Sequence, residues 1–375
     1  MQAEAIHCAK EIGWADIKSQ YLTKKEEIHA LMDRVFSEAN FVNSKSVDLL
    51  EQEIAEYVGV KYAVCVNSGT DALIFAMRGL GIGAGDEVIT PPNSFIASTS
   101  SVAHVGAMPV FVDVCEDQNI DPEKIEAAIT KKTKAIMVVH LTGRIAKMKE
   151  ILAIANKHGL FVIEDAAQSF GSKYEGKFSG SIADAGCFSV HPLKVFNSAG
   201  DGGFITTNNA DVYAKANSLR NHGLVDRATA MEWGYVSRMN SFQAELLRMR
   251  LANELEPSIA QRRKNAVLYN RLLDRKNIFI PSVPEEVFHT YQCFVIQVSR
   301  RDELQHYLDK QGIKTAVHYP IPIHLQPAAQ YLGYKQGDFP CTEQQAKSIL
   351  TIPVHQYLGE KEISYISHLI NEFYV

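Results

Sequence analysis

The sequence predicts an α/β protein with a mostly parallel sheet flanked by helices, followed by a smaller C-terminal α/β domain. From about residue 45 to residue 210, short apolar runs rich in β-branched residues alternate with longer helical segments. This alternation is typical of a parallel sheet covered by helices on both faces. Beyond Gly234 the pattern changes to one long amphipathic segment, Ser241–Glu256, which Pro257 is expected to end.

The first part contains seven strand candidates and four helix candidates. The predicted strands are Tyr62–Val66, Glu87–Thr90, Pro109–Asp113, Ala135–Leu141, Leu160–Glu164, Gly186–Val190 and Gly203–Thr206. The predicted helices between them are Thr70–Gly79, Ala97–Val105, Pro122–Ile129 and Lys147–Lys157. Because ligands of such sheets collect at the carboxyl ends of the strands, we expect the functional residues in the loops that follow them.

The last third predicts the smaller domain. Helices are expected near 258–273, 301–311, 341–349 and 360–372, and strands near 290–298 and 314–318. The resulting division is a large domain over 1–255, which holds the ligand site, and a small domain over 256–375.

Composition excludes several classes of protein. The 375 residues are 46% hydrophobic with a formal net charge of −5, and no basic run indicates a nucleic-acid or membrane surface. No apolar run approaches the roughly 18 residues of a membrane span, and the first residues lack a secretory pattern. The six cysteines share no C-x-x-C spacing, which favours reduced thiols in a cytoplasmic protein. No His/Cys cluster predicts a metal site.

The segment VNSGTDAL, residues 66–73, follows a predicted strand and opens a helix. Gly69 permits a tight turn, and the free N–H groups of the helix start, with the Thr70 hydroxyl, predict a phosphate seat. A simple Ser/Thr helix cap is the alternative interpretation.

Two charged residues follow later strands. Asp165 stands at the end of LFVIE, where a buried carboxylate needs a cationic partner such as a protonated pyridine nitrogen; capping of the next helix is the alternative. Lys194 lies in the loop SVHPLKVFNSAGDGG, where its amine is placed to form an imine with an aldehyde cofactor; a solvated surface lysine is the alternative.

Two further features lie nearby. Phe95, in TPPNSFIAS, is a candidate to stack on a planar ring, or else a core residue. The glycines of GLGIGAGDE, residues 79–87, precede a strand instead of following one, so they predict a loop and disfavour a nicotinamide-dependent dehydrogenase.

These motifs stand in order with GYVSRMNSFQAE (234–245), VHYPIPIHLQP (317–327) and FP-x-TEQQA…IPVH (339–355). Together they resemble the DegT/DnrJ/EryC1/StrS sugar aminotransferases, which are fold-type-I pyridoxal-phosphate enzymes, over roughly residues 10–375. The resemblance implies a homodimer with two active sites at the subunit interface, an amino-acid donor, expected to be glutamate, and a keto-sugar acceptor.

The resemblance also implies residue roles. Lys194 matches the lysine that links covalently to pyridoxal 5'-phosphate and shuttles the proton, and Asp165 matches the partner of the pyridine nitrogen. The other matched positions are Gln168 for the phenolic oxygen, Gly69, Thr70 and Ser189 for the phosphate, and Phe95 for ring stacking. Arg238, His318 and Tyr319 are expected substrate contacts.

Two positions depart from the family pattern. Val236 stands where many relatives have an Asn that reaches the neighbouring subunit's phosphate, which leaves Ser237 or Arg238 as a replacement. Thr142, in HLTGRIAKM, stands where many relatives have Tyr, with consequences for either the substrate mouth or loop packing.

The expected acceptor is a nucleotide-linked 3- or 4-keto deoxy sugar. An alternative is amination at C8 of a 3-deoxy-octulosonate, which gives 8-amino-3,8-dideoxy-manno-octulosonate for lipopolysaccharide. A sugar dehydratase of the same fold is disfavoured because dehydratase relatives carry His in place of Lys194. A cofactor-binding protein without catalysis is disfavoured by the intact set of Lys194, Asp165 and Gln168.

Overall fold

The computed structural model describes residues 11–375, with thirteen strands and thirteen helices in that part of the chain. The strands are β1 (Tyr62–Val66), β2 (Glu87–Thr90), β3 (Met108–Phe111), β4 (Thr133–Val139), β5 (Phe161–Asp165), β6 (Lys173–Tyr174), β7 (Lys177–Phe178), β8 (Ala185–Ser189), β9 (Gly203–Thr207), β10 (Ile278–Phe279), β11 (Val287–Phe288), β12 (Phe294–Val298) and β13 (Ile349–Ile352).

The helices are α1 (Ile17–Thr23), α2 (Lys25–Glu38), α3 (Lys45–Val58), α4 (Gly69–Gly79), α5 (Ile96–His104), α6 (Pro122–Ala128), α7 (Met148–His158), α8 (Ala210–Arg220), α9 (Ser241–Asn253), α10 (Leu255–Leu272), α11 (Arg301–Lys310), α12 (Pro340–Ser348) and α13 (Glu360–Glu372). Short 3₁₀ turns occupy Leu141–Gly143, Ile323–Leu325 and Pro327–Leu332.

A seven-stranded sheet in the order β1-β9-β8-β5-β4-β2-β3 forms the centre of the large domain. The pairs among β3, β2, β4, β5 and β8 are parallel, and only β9 runs antiparallel to both of its neighbours, β1 and β8. Nearly every residue of these strands is buried, as expected when both faces carry helices. The predicted α/β fold with a mostly parallel sheet is confirmed.

Helices cover both faces of this sheet. On one face α4 buries the continuous run Ala72–Met77, which packs with Val64, Met137 and Ile205 of the strands. On the other face α7 buries Met148, Ile151 and Ala155 against Ile136 and Val138 of β4. The sheet is therefore fixed between two apolar layers, and the loops at its carboxyl edge are left to form a site.

The C-terminal third builds a three-stranded antiparallel sheet, β10-β12-β13, packed against α10, α11 and α13. Two local predictions were wrong here. Residues 314–318 do not form a strand; only Ala316 makes a bridge, to Thr351. Pro257 does not end a helix: α9 ends at Asn253, Glu254 separates the two helices, and Pro257 lies in the first turn of α10. Proline is tolerated there because a backbone N–H in the first turn has no intrahelical partner to lose.

The two domains meet along α10. Its first turns place Leu255 and Ile259 in a core of the large domain, whereas Ala266 and Tyr269 lie in the core of the small domain. The sequence division at 255–256 falls at the start of this helix. Ile12 is an exception to that division, because it packs in the core of the small domain and pairs with Ile313 although it lies near the start of the chain. Residues 1–10, including Cys8, lie outside the described part.

Candidate active site

A cavity of about 500 Å³ opens at the carboxyl ends of β1, β2, β4, β5 and β8. Nine of the ten residues predicted for the site line it; Arg238 does not. The nine are Gly69, Thr70, Phe95, Asp165, Gln168, Ser189, Lys194, His318 and Tyr319. The large domain supplies the first seven and the small domain the last two, so the cavity lies where the domains meet.

The start of α4 forms one end of the cavity. Ser68 caps the helix by accepting a hydrogen bond from the Asp71 N–H (3.1 Å), so the cap interpretation is realised. The preceding N–H groups, of Gly69 and Thr70, have no acceptor inside the helix and point to an anion seat. A Cβ at Gly69 would lie 3.0 Å from the Ser189 Cβ, so the glycine lets β8 approach the helix start. The start of α4 therefore provides both the Ser68 helix cap and the anion seat formed by the Gly69 and Thr70 N–H groups.

Asp165 lies at the end of β5 and is 6% exposed. Its Oδ2 accepts from the Ser98 hydroxyl (2.6 Å) and its Oδ1 from the Ala167 N–H (3.3 Å). No helix follows directly, so the capping interpretation is wrong for this residue. Burial raises the pKa of Asp165, and the hydrogen bonds and the charge of Lys194 oppose that rise.

Lys194 keeps part of its surface open to the cavity, while the surrounding protein shields its amine from bulk water. Burial lowers the pKa of Lys194, and electrostatic interactions with Cys293 and Asp165 oppose this lowering. The amine is thus more available in its neutral, nucleophilic form than that of a surface lysine. The solvated-surface interpretation is excluded by this position.

The lysine loop is tied to the small domain by Gln292, which is 5% exposed. Its Oε1 accepts from the Val195 N–H (2.7 Å), and its Nε2 donates to the Leu193 carbonyl (2.8 Å). These bonds flank Lys194 on both sides, so Gln292 sets the direction in which the loop presents the amine.

Gln168 is oriented by its neighbours. Its Oε1 accepts the Thr142 N–H at 2.7 Å, which leaves Nε2 as a donor toward the Tyr319 hydroxyl (3.4 Å) and the cavity. Thr142 is buried with a positive φ of 65°, and its side chain lines a separate crevice of about 200 Å³ beside Arg144. In this chain Thr142 therefore contributes to loop packing behind Gln168 and is not among the residues that line the cavity.

Aromatic groups form the cavity wall. Phe95 is 57% exposed and lies 5.8 Å, centroid to centroid, from Tyr319, so its core interpretation is wrong. His318 contacts Trp14 edge-on and pairs through Nδ1 with the Thr351 hydroxyl (2.9 Å). Burial and the charge of Lys194 lower the pKa of His318 to about 4, so its ring is neutral near pH 7.

The segment predicted to reach a neighbouring subunit lies outside the cavity. Ser237 is fully buried and accepts the Asn67 N–H (3.1 Å), so its hydroxyl is committed within its own subunit. Arg238 lines a different crevice, and its Nη1 donates to the Asn221 side chain (3.1 Å). Val236 is 57% exposed. Of the two replacements considered for the missing Asn, only Arg238 keeps an accessible polar group.

Several residues of the site escaped the sequence interpretation. Ser98, Gln292, Cys293 and Trp14 all contact or line the site, yet none was assigned a role from the sequence. Ser98 had the weakest of signals, its place in the first turn of the helix that follows Phe95. Gln292 had none, because its partners lie 97 and 99 residues away in the chain.

The arrangement suits a flat phosphorylated aldehyde. One cavity is lined by an anion seat, a lysine whose pKa is lowered by burial, a buried carboxylate and an exposed phenyl ring. In the described residues no group of three or more His, Cys, Asp or Glu side chains is placed to hold a metal ion. The fold and the site thus define a pyridoxal-phosphate-dependent aminotransferase, and comparison with known proteins gives its family.

The chain belongs to the DegT/DnrJ/EryC1/StrS aminotransferase family, whose profile it matches over residues 22–371. It is 42% identical to a pleiotropic regulatory protein of Geobacillus stearothermophilus, over 96% of this chain and 97% of that protein. It is 38% identical to the dTDP-3-amino-3,6-dideoxy-alpha-D-galactopyranose transaminase of Aneurinibacillus thermoaerophilus, over 96% of this chain and 99% of that enzyme.

Solved structures agree. DesV of S. venezuelae superposes with a TM-score of 0.95 at 35% identity, covering 97% of this chain and 99% of that one. Spr1654 of Streptococcus pneumoniae, 27% identical with a TM-score of 0.87 over 92% of this chain and 95% of that one, was solved in its pyridoxal-phosphate form. The cofactor of this aminotransferase is pyridoxal 5'-phosphate. None of the helices between residues 11 and 375 is both long and apolar enough to cross a membrane.

Proposed function

We propose that this aminotransferase moves an amino group from an amino acid, expected to be glutamate, to a nucleotide-linked 3- or 4-keto deoxy sugar. The observation that carries the proposal is the cavity in which Lys194, Asp165 and the anion seat of Gly69 and Thr70 come together. A 3-keto acceptor is favoured because the Aneurinibacillus relative is named for a 3-amino-3,6-dideoxy sugar.

Each residue is assigned a contact with the cofactor. Gly69, Thr70 and Ser189 would hold the phosphate, Phe95 would stack on the ring, and Gln168 would donate to the phenolic oxygen through the amide N–H that Thr142 leaves free. Asp165 would pair with the ring nitrogen. Bound pyridoxal phosphate supplies an aldehyde for covalent linkage and an electron-accepting ring.

The chain's own groups then handle the protons. With the cofactor bound, Lys194 would supply the neutral amine that burial favours for linkage to the aldehyde, with loss of water. Once the amino group of the donor has displaced it, the freed amine would take and return the proton at the carbon that bears the nitrogen. Asp165 holds the positive charge of the ring nitrogen in place. His318 and Tyr319 border the open side of the cavity, where they bind substrate and exclude water.

The active unit is proposed to be a homodimer. Among the described side chains that line the cavity, Lys194 is the sole Lys or Arg, and it is committed to the cofactor. Carboxylate and diphosphate groups of the substrates therefore need cations from elsewhere. The segment around Arg238 can supply one across a subunit interface, since the adjoining Met231, Trp233 and Val236 are 72%, 95% and 57% exposed on the isolated chain.

A half-reaction tests the assignment. Purified protein loaded with pyridoxal phosphate is incubated with glutamate, and the conversion to pyridoxamine phosphate and 2-oxoglutarate is followed by absorbance and mass spectrometry. The aminated protein is then offered nucleotide-linked 3-keto and 4-keto sugars and an 8-oxo-3-deoxy-octulosonate. Amination of a nucleotide-linked sugar supports the proposal, and amination of the octulosonate alone replaces its acceptor. If neither glutamate nor any other common amino acid aminates the cofactor, the protein would be a binding protein without catalysis.

A further inference from the structure

A pair of buried serines lies behind Asp165. Helix α5 begins directly after Phe95, and its first turn places the Ser98 hydroxyl 2.6 Å from the Asp165 Oδ2. The Ser94 hydroxyl lies 2.6 Å from that of Ser98. Ser98 is completely buried and Ser94 is 4% exposed, so bulk water does not compete for these bonds.

The number of protons fixes the direction of this chain. Each hydroxyl has one proton to donate. When Asp165 is ionised it can only accept, so Ser98 gives its proton to the carboxylate and must accept from Ser94. Charge-assisted bonds of this kind are shorter and stronger than neutral ones, in keeping with the 2.6 Å separation. The serines thus stabilise the ionised side chain in one rotamer.

Among the groups that stabilise the ionised form of Asp165, the Ser98 hydroxyl contributes most. Burial raises the pKa of Asp165, and the groups that oppose this are, in order, the Ser98 hydroxyl, the Ala167 N–H and the charge of Lys194. Burial also lowers the pKa of Lys194. Unlike the charge of the lysine, the hydrogen bond from the Ser98 hydroxyl does not depend on the protonation state of Lys194.

We propose that Ser98 is a positioning residue of this aminotransferase, which holds the ionised Asp165 in the orientation that faces the cofactor ring nitrogen, with Ser94 orienting the Ser98 hydroxyl. The inference rests on the role proposed above for Asp165. The start of α5 thus places two groups at the site, Phe95 immediately before the helix and the Ser98 hydroxyl in its first turn.

Ser98→Ala removes the donor, and Ser101→Ala is the matched control. Ser101 lies on the same helix, is equally buried, and donates only to the Ser98 carbonyl (3.0 Å). We expect S98A to weaken pyridoxal-phosphate binding by about tenfold or more, the scale of one lost hydrogen bond to a charged group. With cofactor labelled with ¹⁵N at the ring, the resonance of that nitrogen should move toward its neutral position in S98A and stay unchanged in S101A.

Ser98→Cys, which nearly preserves volume and keeps a weak donor, serves if S98A does not fold; its binding should fall between those of wild type and S98A, or at least below wild type. Asp165→Asn is measured in parallel. If D165N leaves both affinity and the ¹⁵N resonance unchanged, the assignment of Asp165 is wrong and the inference falls with it. If D165N alters both but the Ser98 variants alter neither, or S101A alters them equally, only the role of Ser98 is refuted.

Discussion

The link between Gln292 and the lysine loop leads to a quantitative prediction. Gln292 belongs to the C-terminal part of the chain, yet its amide bonds the backbone on both sides of Lys194, at 2.7 and 2.8 Å. Replacing it with Met keeps the volume and the unbranched shape but removes both bonds. The Val195 N–H and the Leu193 carbonyl would then lose their partners beside a side chain that is 5% exposed.

Each buried backbone group left without a partner costs about 1–3 kcal/mol, so the loss of two partners should lower the free energy of unfolding of Gln292→Met by about 2–6 kcal/mol. A loop that relaxes to recover part of this cost would instead misplace Lys194. We therefore expect either a loss of stability in that range, or a smaller loss together with slower covalent capture of pyridoxal phosphate. Urea unfolding of the cofactor-free protein and borohydride trapping of the bound cofactor measure the two quantities.

Gln297→Met is the control, because Gln297 lies on β12, the strand that begins two residues after Gln292, and donates to the Glu116 carbonyl (2.8 Å) away from the cavity. An equal loss of stability in both variants, with normal trapping in both, would show that Gln292 contributes only an ordinary hydrogen bond. A Gln292 variant unchanged in stability within about 0.5 kcal/mol and in capture would refute the reasoning outright.

Three further predictions follow from the same structure. Lys194→Ala should abolish both turnover and the borohydride-stable cofactor adduct; an adduct on another peptide, located by mass spectrometry, would mean that a different lysine is the nucleophile. Gly69→Ala should weaken cofactor binding by about tenfold, because the new Cβ would lie 3.0 Å from the Ser189 Cβ, whereas Gly83→Ala, whose Cβ would meet nothing closer than 3.6 Å, should bind normally in the same fluorescence titration. Burial lowers the pKa of His355 from 6.5 to about 4, so as the pH falls the unfolded chain takes up this proton before the folded chain does. The protein should therefore lose stability between about pH 6.5 and pH 4. In urea unfolding, the free energy of unfolding of His355→Asn should fall by about 3 kcal/mol less than that of wild type between pH 7 and pH 4, and equal losses would contradict the linkage.

Much of the fold follows from local pattern. All seven strands of the central sheet were predicted at nearly their observed positions, because buried parallel strands are short, apolar and rich in β-branched residues. The position of β9 between β1 and β8 was not predictable in this way, since periodicity carries no information on strand order. β13 was missed because ILTI (349–352) follows α12 without a turn residue to separate them.

The predicted site residues come together for a different reason. Gly69, Asp165 and Lys194 each lie at or beyond the carboxyl end of a strand, so the topology alone brings them to one edge of the sheet. Within one subunit Arg238 does not reach this edge of the sheet, and it lines a separate crevice instead. Ser98 and Gln292 were missed because their importance depends on partners that are distant in the sequence and on burial that only the folded chain shows.

The antiparallel strand β9 has a consequence for how the lysine is mounted. β8 and β9 are neighbours joined by residues 190–202, and Val190 and Gly202 close the base of that connection through a 2.9 Å backbone bond. The reactive amine therefore sits on the tip of a hairpin whose two legs are anchored in the same sheet. The anion seat follows β1 and the carboxylate ends β5, so the separation between them is set by strands that lie outside this hairpin connection.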